Sequence, residues 1–117
     1  EAFPGYCRVV WRDHVAEMTD LDPAARRHAM NVVFAVEAAL RALARPDKIN
    51  LAALGNLVPH LHWHVIARFD WDSHFPAPVW AAAQRLSPAE QEGAVRDRLP
   101  ALEAELRTRL QAALAAA

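Results

Sequence analysis

Val58-Pro59-His60-Leu61-His62-Trp63-His64-Val65-Ile66 sets three histidines on a strict two-residue spacing, with apolar residues between and after them. The aromatic and β-branched neighbours favour a strand over a helix. Successive side chains on a strand point to opposite faces, so His60, His62 and His64 are expected to share one face. Leu61, Trp63 and Val65 then bury the other. The histidine face carries no apolar side chain for most of its length, which places it against solvent or a ligand.

Three readings account for such a row. The first is a solvated strand face that happens to carry histidine. The second is a metal site, because alternate residues on a strand lie about 6.8 Å apart and two imidazoles can share a zinc ion. His60 and His64, about 13 Å apart at the backbone, do not easily reach one ion, so a further ligand such as His74 or Asp72 is needed. The metal reading is therefore disfavoured. The third is nucleophilic catalysis: with an unperturbed pKa of about 6.5, imidazole offers a neutral, nucleophilic nitrogen at cellular pH.

The rest of the chain sets the frame. Its 117 residues amount to one domain, and the 54% hydrophobic fraction overstates the core because 26 residues are alanine. A net charge of −1 offers no basic field for nucleic acid or an anionic membrane. No apolar run approaches the roughly 18 residues of a membrane span, and no signal peptide opens the chain. Cys7 is the single cysteine, which excludes an internal disulfide and fits a cytoplasmic location. The first residue is Glu1, as in a processed chain or a fragment.

Phe3-Pro4-Gly5 signals a turn, and Tyr6 to Trp11 reads as a strand with Cys7, Val9 and Trp11 on one face and Tyr6, Arg8 and Val10 on the other. His14, beside Asp13 in a loop, is expected to be solvated, with a catalytic role as the alternative. Asp22-Pro23 supplies an acidic N-cap and a first-turn proline for a helix running to Ala44. Its stripe of Ala29, Val32, Val33, Val36, Leu40 and Leu43 should face a sheet. Met30 and Phe34 flank that stripe, as core contacts or as a subunit interface. Lys48 to Leu54 reads as a strand, turned at Gly55 into the histidine strand, which continues to Arg68 or Phe69. A connection this short makes the two antiparallel neighbours, with Asn50 on the histidine face. Asp70 to Trp80 reads as an ordered loop packed by its aromatics. Ser87-Pro88-Ala89-Glu90 is a capping box opening a helix at Pro88, and Pro100 divides that region into two helices. Leu99, Leu102, Leu106 and Leu110 stripe the second, which ends in a frayed alanine tail.

His60-Leu61-His62-Trp63-His64-Val65-Ile66 resembles the His-φ-His-φ-His-φ-φ signature (φ apolar) of the histidine-triad family of nucleotide hydrolases and transferases. The likeness extends over most of residues 3 to 80. Asn50 to His64 and Ser73-His74-Phe75-Pro76 look like a bacterial branch labelled diadenosine-polyphosphate hydrolase-like. The resemblance implies an α+β fold: an antiparallel sheet with one long helix packed on it and C-terminal helices. Members carry one or two strands ahead of the Pro-Gly turn, so a trimmed version of the domain is expected. Residues 1–86 would form the catalytic part and 87–117 a helical extension of the same domain. Two subunits would join their sheets in a homodimer.

The resemblance also implies chemistry. His62 would attack the α-phosphorus of a purine nucleotide, such as a dinucleoside polyphosphate or nucleoside phosphoramidate, and form a nucleotidyl-phosphohistidine. His60 and its backbone would orient His62, and His64 would donate to a phosphate oxygen. Substrate contacts would come from Asn50, Asn56, Tyr6 and His74. No metal is required, magnesium entering only with a polyphosphate. The chain departs from the family pattern at three points. Tyr6 stands where members have a fourth histidine, Leu57 where many have serine or threonine, and Ala67 where proline is common. These departures motivate a rival, a nucleotide-binding module without turnover. A zinc-dependent hydrolase is the third alternative.

Overall fold

A computed structural model describes residues 3–115. Three strands, β1 (Tyr6–Val10), β2 (Lys48–Ala52) and β3 (His62–Arg68), form an antiparallel sheet in the order β1-β3-β2. Three helices accompany it: α1 (Pro23–Leu43), α2 (Ala89–Arg96) and α3 (Leu99–Ala115). The α+β class and the antiparallel pairing of β2 with β3 agree with the sequence. No helix among the described residues is long and apolar enough to cross a membrane.

The pairing register decides which residues share a face. Arg8 lies opposite His64, Val10 opposite His62, and Asn50 opposite Ile66. Tyr6, Arg8 and Val10 therefore share a face with His62, His64 and Arg68, as does Asn50. Trp63, Val65 and Ala67 point the other way, into a core with Val33, Val36 and Leu40 of α1. A slip of one residue would exchange the two sets.

Asp22 caps α1 as expected, its carboxylate accepting the Ala25 N–H at 2.8 Å, with Pro23 in the first turn. The helix stops where Arg45 takes a φ of 51°, a left-handed conformation typical of helix ends. α1 packs against β3 and β1, and α3 lies along α1. Leu40, Val33 and Val65 are fully buried at this junction, each worth about 1.5–3 kcal/mol of hydrophobic stabilisation. Met30 is a core contact, whereas Phe34 is exposed. Leu102 of α3 is buried, and Leu99, Leu106 and Leu110 join the same core.

Four details differ from the sequence reading. The Ser87 capping box does not form: Pro88 is the N-cap of α2, and the Ser87 hydroxyl is buried without a hydrogen-bond partner. β2 ends at Ala52 rather than Leu54, and α3 stays helical to Ala115, the last alanines lying outside the described residues. Most important for function, β3 begins at His62, so His60 is not part of it. Pro59 has no N–H for a ladder, and the Leu61 N–H turns to the Val15 carbonyl at 2.7 Å. The chain before His62 is thus tied to the loop after β1 instead of to β2.

Candidate active site

The histidine face opens on a cleft of about 820 Å³ lined by His60, His62 and His64. Arg8 and Val10 of β1 form one wall, and the β2–β3 turn, Leu54 to Val58, forms another. Gly55 holds that turn at a φ of 77°, where an L side chain would be strained. Trp80 completes the lining.

Each histidine has a defined partner. His62 Nδ1 donates to the His60 carbonyl at 2.5 Å, and because a carbonyl only accepts, the ring proton must sit on Nδ1. In the neutral ring, Nε2 then carries the lone pair. His60 leaves β3 yet still lines the cleft, anchored by Nε2–H donation to the Trp11 carbonyl. That bond leaves His60 Nδ1 as an acceptor, and His14 Nδ1 meets it at 3.2 Å with the two rings 5.4 Å apart. His64 is buried, edge-on to His62 at 4.9 Å, and its Nδ1 lies 2.7 Å from the Tyr6 hydroxyl. Burial lowers the His64 pKa, with smaller contributions from the charges of His62 and Arg8. It is held towards the neutral form.

Of the four residues for which substrate contact was expected, only Asn56 lines the cleft. Tyr6 acts behind His64. The Asn50 side-chain oxygen accepts from Arg68 Nη1 at 2.8 Å. His74 does not line the cleft; it is bonded to the Ser73 hydroxyl at 2.7 Å and stands against the Phe3 ring. Two residues were undervalued. Arg8 brings the cleft's fixed positive charge, and the alternation of Tyr6, Arg8 and Val10 already put it on a polar face. His14 is exposed as expected but is coupled to His60, and no local pattern announces a pairing 46 residues apart.

A zinc site would need a third ligand, and neither residue considered for it lines the cleft. Asp72 is buried in an ion pair with Arg68 at 2.8 Å, and His74 stands against Ser73 and Phe3. Among the described residues, no three His, Cys, Asp or Glu side chains are grouped to hold a metal ion. Burial raises the Cys7 thiol pKa, which makes it a poor nucleophile.

An antiparallel sheet backed by a long helix, with alternate histidines facing a cleft beside a cation, defines a histidine-triad type of domain. Residues 2–71 match the family model of the HIT domain. The chain belongs to the HIT (histidine-triad) family. A histidine triad protein from Bradyrhizobium japonicum is 34% identical, with a TM-score of 0.72 over 93% of this chain and 77% of that one. One from Marinobacter aquaeolei VT8 is 31% identical, with a TM-score of 0.69 over 90% of this chain and 77% of that one. A third, from Sinorhizobium meliloti 1021, is 31% identical, with a TM-score of 0.64 over 83% and 76% of the respective chains. No curated protein matches the sequence.

Proposed function

We propose that this protein is a nucleotide hydrolase or transferase in which His62 Nε2 attacks the α-phosphorus of a bound purine nucleotide. The observation that carries the proposal is the His62 Nδ1–H bond to the His60 carbonyl, which directs the lone pair to Nε2 of a ring lining the cleft. In the first step an Nε2–P bond forms while the bond from phosphorus to the leaving group breaks with its electron pair. Water or another acceptor then attacks the same phosphorus and releases His62. The intermediate divides one hard displacement into two easier ones. With the Tyr6 hydroxyl donating to Nδ1, His64 keeps its proton on Nε2 and donates it to a phosphoryl oxygen. Arg8 adds fixed positive charge from the facing strand. The scheme needs no metal, though magnesium can accompany a polyphosphate. Dinucleoside polyphosphates and nucleoside phosphoramidates both present the reacting phosphorus.

His62→Asn should abolish turnover while AMP binding and the unfolding midpoint stay near wild type. His60→Ala and His64→Ala should each cost on the order of 10²- to 10³-fold in kcat, as groups that orient or stabilise charge do. Wild-type turnover in His62→Asn would eliminate the covalent route. A binding module without turnover is the second reading, favoured by Leu57, an exposed apolar side chain at the cleft where many members carry a hydroxyl. AMP binding by the wild type without hydrolysis of either substrate class would select it. We also propose a homodimer, since the outer edges of β1 and β2 carry no partner strand among the described residues. A monomer mass by light scattering at micromolar concentration would rule it out.

A further inference from the structure

Among the described residues, the cleft gathers most of the large exposed apolar side chains. Val10, Leu54, Leu57, Val58 and Trp80 are all exposed and all line it, whereas Phe34, Leu86 and Leu114 stand elsewhere. Scattered apolar residues on a surface are ordinary, but a group of them around a cleft marks a binding surface. Arg8, His62 and His64 make the rest of that cleft cationic or hydrogen-bonding. A ligand that satisfies both kinds of lining is an anion joined to an apolar group.

Trp80 is unlike the other three tryptophans. Trp63 and Trp71 pack against the main core and Trp11 against the smaller cluster around Leu21 and Leu61, while Trp80 is 61% exposed. It also lies beyond the residues that match the family model. The loop around it is nonetheless tied down on both sides. Arg68 Nη2 donates to the Ala77 carbonyl at 2.7 Å, and Arg85 Nη1 donates to the Asp72 and Phe75 carbonyls at 2.6 and 2.7 Å. The Ala81 N–H closes a turn on the Pro78 carbonyl at 3.0 Å. An indole exposed at a cleft on an anchored loop keeps a flat face available at little ordering cost.

We propose that Trp80 is the stacking platform for a planar aromatic ring of the phosphorylated substrate, and so a specificity-determining residue of the cleft. This inference rests on the proposed function and adds what the substrate must carry besides its phosphate. The ring has two sources, the nucleobase or an aromatic leaving group, and both present the same flat π face. Stacking differs from general apolar cover in a testable way. Phenylalanine keeps it, whereas leucine, with similar bulk and no ring, does not.

The test compares wild type, Trp80→Ala, Trp80→Leu and Trp80→Phe on two substrates. Adenosine 5′-phosphoramidate with an unsubstituted amine has the base as its only aromatic ring; the tryptamine phosphoramidate of AMP has a second. Because Trp80 is exposed, all variants should melt near the wild-type temperature. Trp80→Ala and Trp80→Leu should lower kcat/KM about five- to a hundredfold, mostly through KM, and Trp80→Phe should retain most of it. Loss on both substrates assigns the ring to the nucleobase. Loss on the tryptamine substrate alone assigns it to the leaving group. Equal kcat/KM in Trp80→Ala and wild type on both substrates, or full activity in Trp80→Leu, overturns the proposal. If wild type turns over neither substrate, the hydrolase reading fails separately. Calorimetric titration with AMP and with tryptamine-AMP then decides: affinity for either that falls in Trp80→Ala and recovers in Trp80→Phe supports the platform, and affinity for both unchanged in Trp80→Ala, or absent from the wild type, overturns it.

Discussion

One face of β3 carries polar residues at both ends, and the two ends behave in opposite ways. At the C-terminal end Arg68 is 2% exposed, and four of its N–H donors are engaged: two by Asp72, one by Asn50 and one by the Ala77 carbonyl. Asp72 is satisfied in turn, accepting from Arg68 and from the backbone N–H groups of Phe69, His74 and Phe75. At the N-terminal end His62 has one nitrogen fixed on the His60 carbonyl and lines an open cleft. Polarity alone does not separate the two ends, and burial alone does not say what each end does. The difference is whether the hydrogen-bonding capacity is closed within the protein or left directed at a cavity. By that criterion the Arg68 end holds the fold, and the histidine end is available for chemistry.

The largest effect that tests this contrast is on stability. Asp72→Ala removes one partner of a buried pair and leaves the Arg68 guanidinium uncompensated, which should cost about 3–5 kcal/mol. It should also free the loop that carries Trp80. Urea unfolding measures the first effect. A loss below about 1 kcal/mol would mean that Arg68 finds other partners, as an exposed ion pair allows. His62→Asn should by contrast leave the unfolding midpoint unchanged.

Acid should separate the two ends in a second, smaller way. Burial lowers the folded-state pKa of His64, with His62 and Arg8 adding to it, so the unfolded chain takes up its proton first. The stability contributed by neutral His64 is present above the unfolded value of about 6.5 and declines as pH falls from there through the folded pKa. For Asp72, burial acts to raise the pKa, but the bonds from Arg68 and the three backbone N–H groups outweigh it, and the net shift is downward. Its contribution is present above the unfolded value of about 3.9 and is lost as pH falls through the folded pKa. Urea midpoints should therefore decline in two windows, with His64→Asn flattening the upper and Asp72→Asn the lower. A single window, unaltered by His64→Asn, would contradict the buried, neutral His64.

Much of this arrangement was legible in the sequence because it follows from periodicity. Alternation set His62 and His64 against Trp63 and Val65, and Asp22-Pro23 marked the start of α1. The same alternation grouped Tyr6, Arg8 and Val10 on one face of their strand and put Asn50 on the histidine face; which face of β1 meets the histidines came only with the pairing. What escaped depends on pairing between distant segments. The departure of His60 from β3 is set by Leu61 bonding to Val15, of which the histidine stretch signals only Pro59, a residue with no N–H for a ladder. The sequence marked Arg68 only as a strand end and Asp72 only as a possible metal ligand, and their burial comes from the loop folding back through Ala77. The aromatics were expected to order that loop. Phe69 and Trp71 do stack at 4.6 Å, but the loop backbone is gathered by the Asp72 carboxylate.

Tyr6→Phe probes the histidine end more gently. It deletes only the hydroxyl at 2.7 Å from His64 Nδ1 and keeps the ring under the Arg8 guanidinium. A hydrogen bond of this kind is worth about 0.5–1.5 kcal/mol, so kcat should fall roughly two- to tenfold. KM should change little if Tyr6 works through His64 and does not contact the substrate. Tyr6→His, which restores the family's residue, should match or exceed wild-type turnover. A rise in KM with constant kcat would instead place Tyr6 against the substrate.

The smallest effect is expected at His14, outside the strand altogether. His60 holds its position through the Trp11 carbonyl, and its own carbonyl orients His62, so whatever steadies His60 steadies the proposed nucleophile. His14 supplies a further contact, the 3.2 Å approach of its Nδ1 to the nitrogen that His60 leaves open. The contact is exposed, so water can replace it and its net worth falls at the low end of the range for hydrogen bonds. His14→Ala should therefore reduce kcat only about two- to threefold, with KM and stability unchanged. The informative measurement is the double variant. If His14 acts only by holding His60, adding His14→Ala to His60→Ala should produce no further loss, a coupling that a double-mutant cycle detects. Additive losses would show that His14 reaches the substrate or the leaving group by itself. The reactive region would then extend beyond the face of β3.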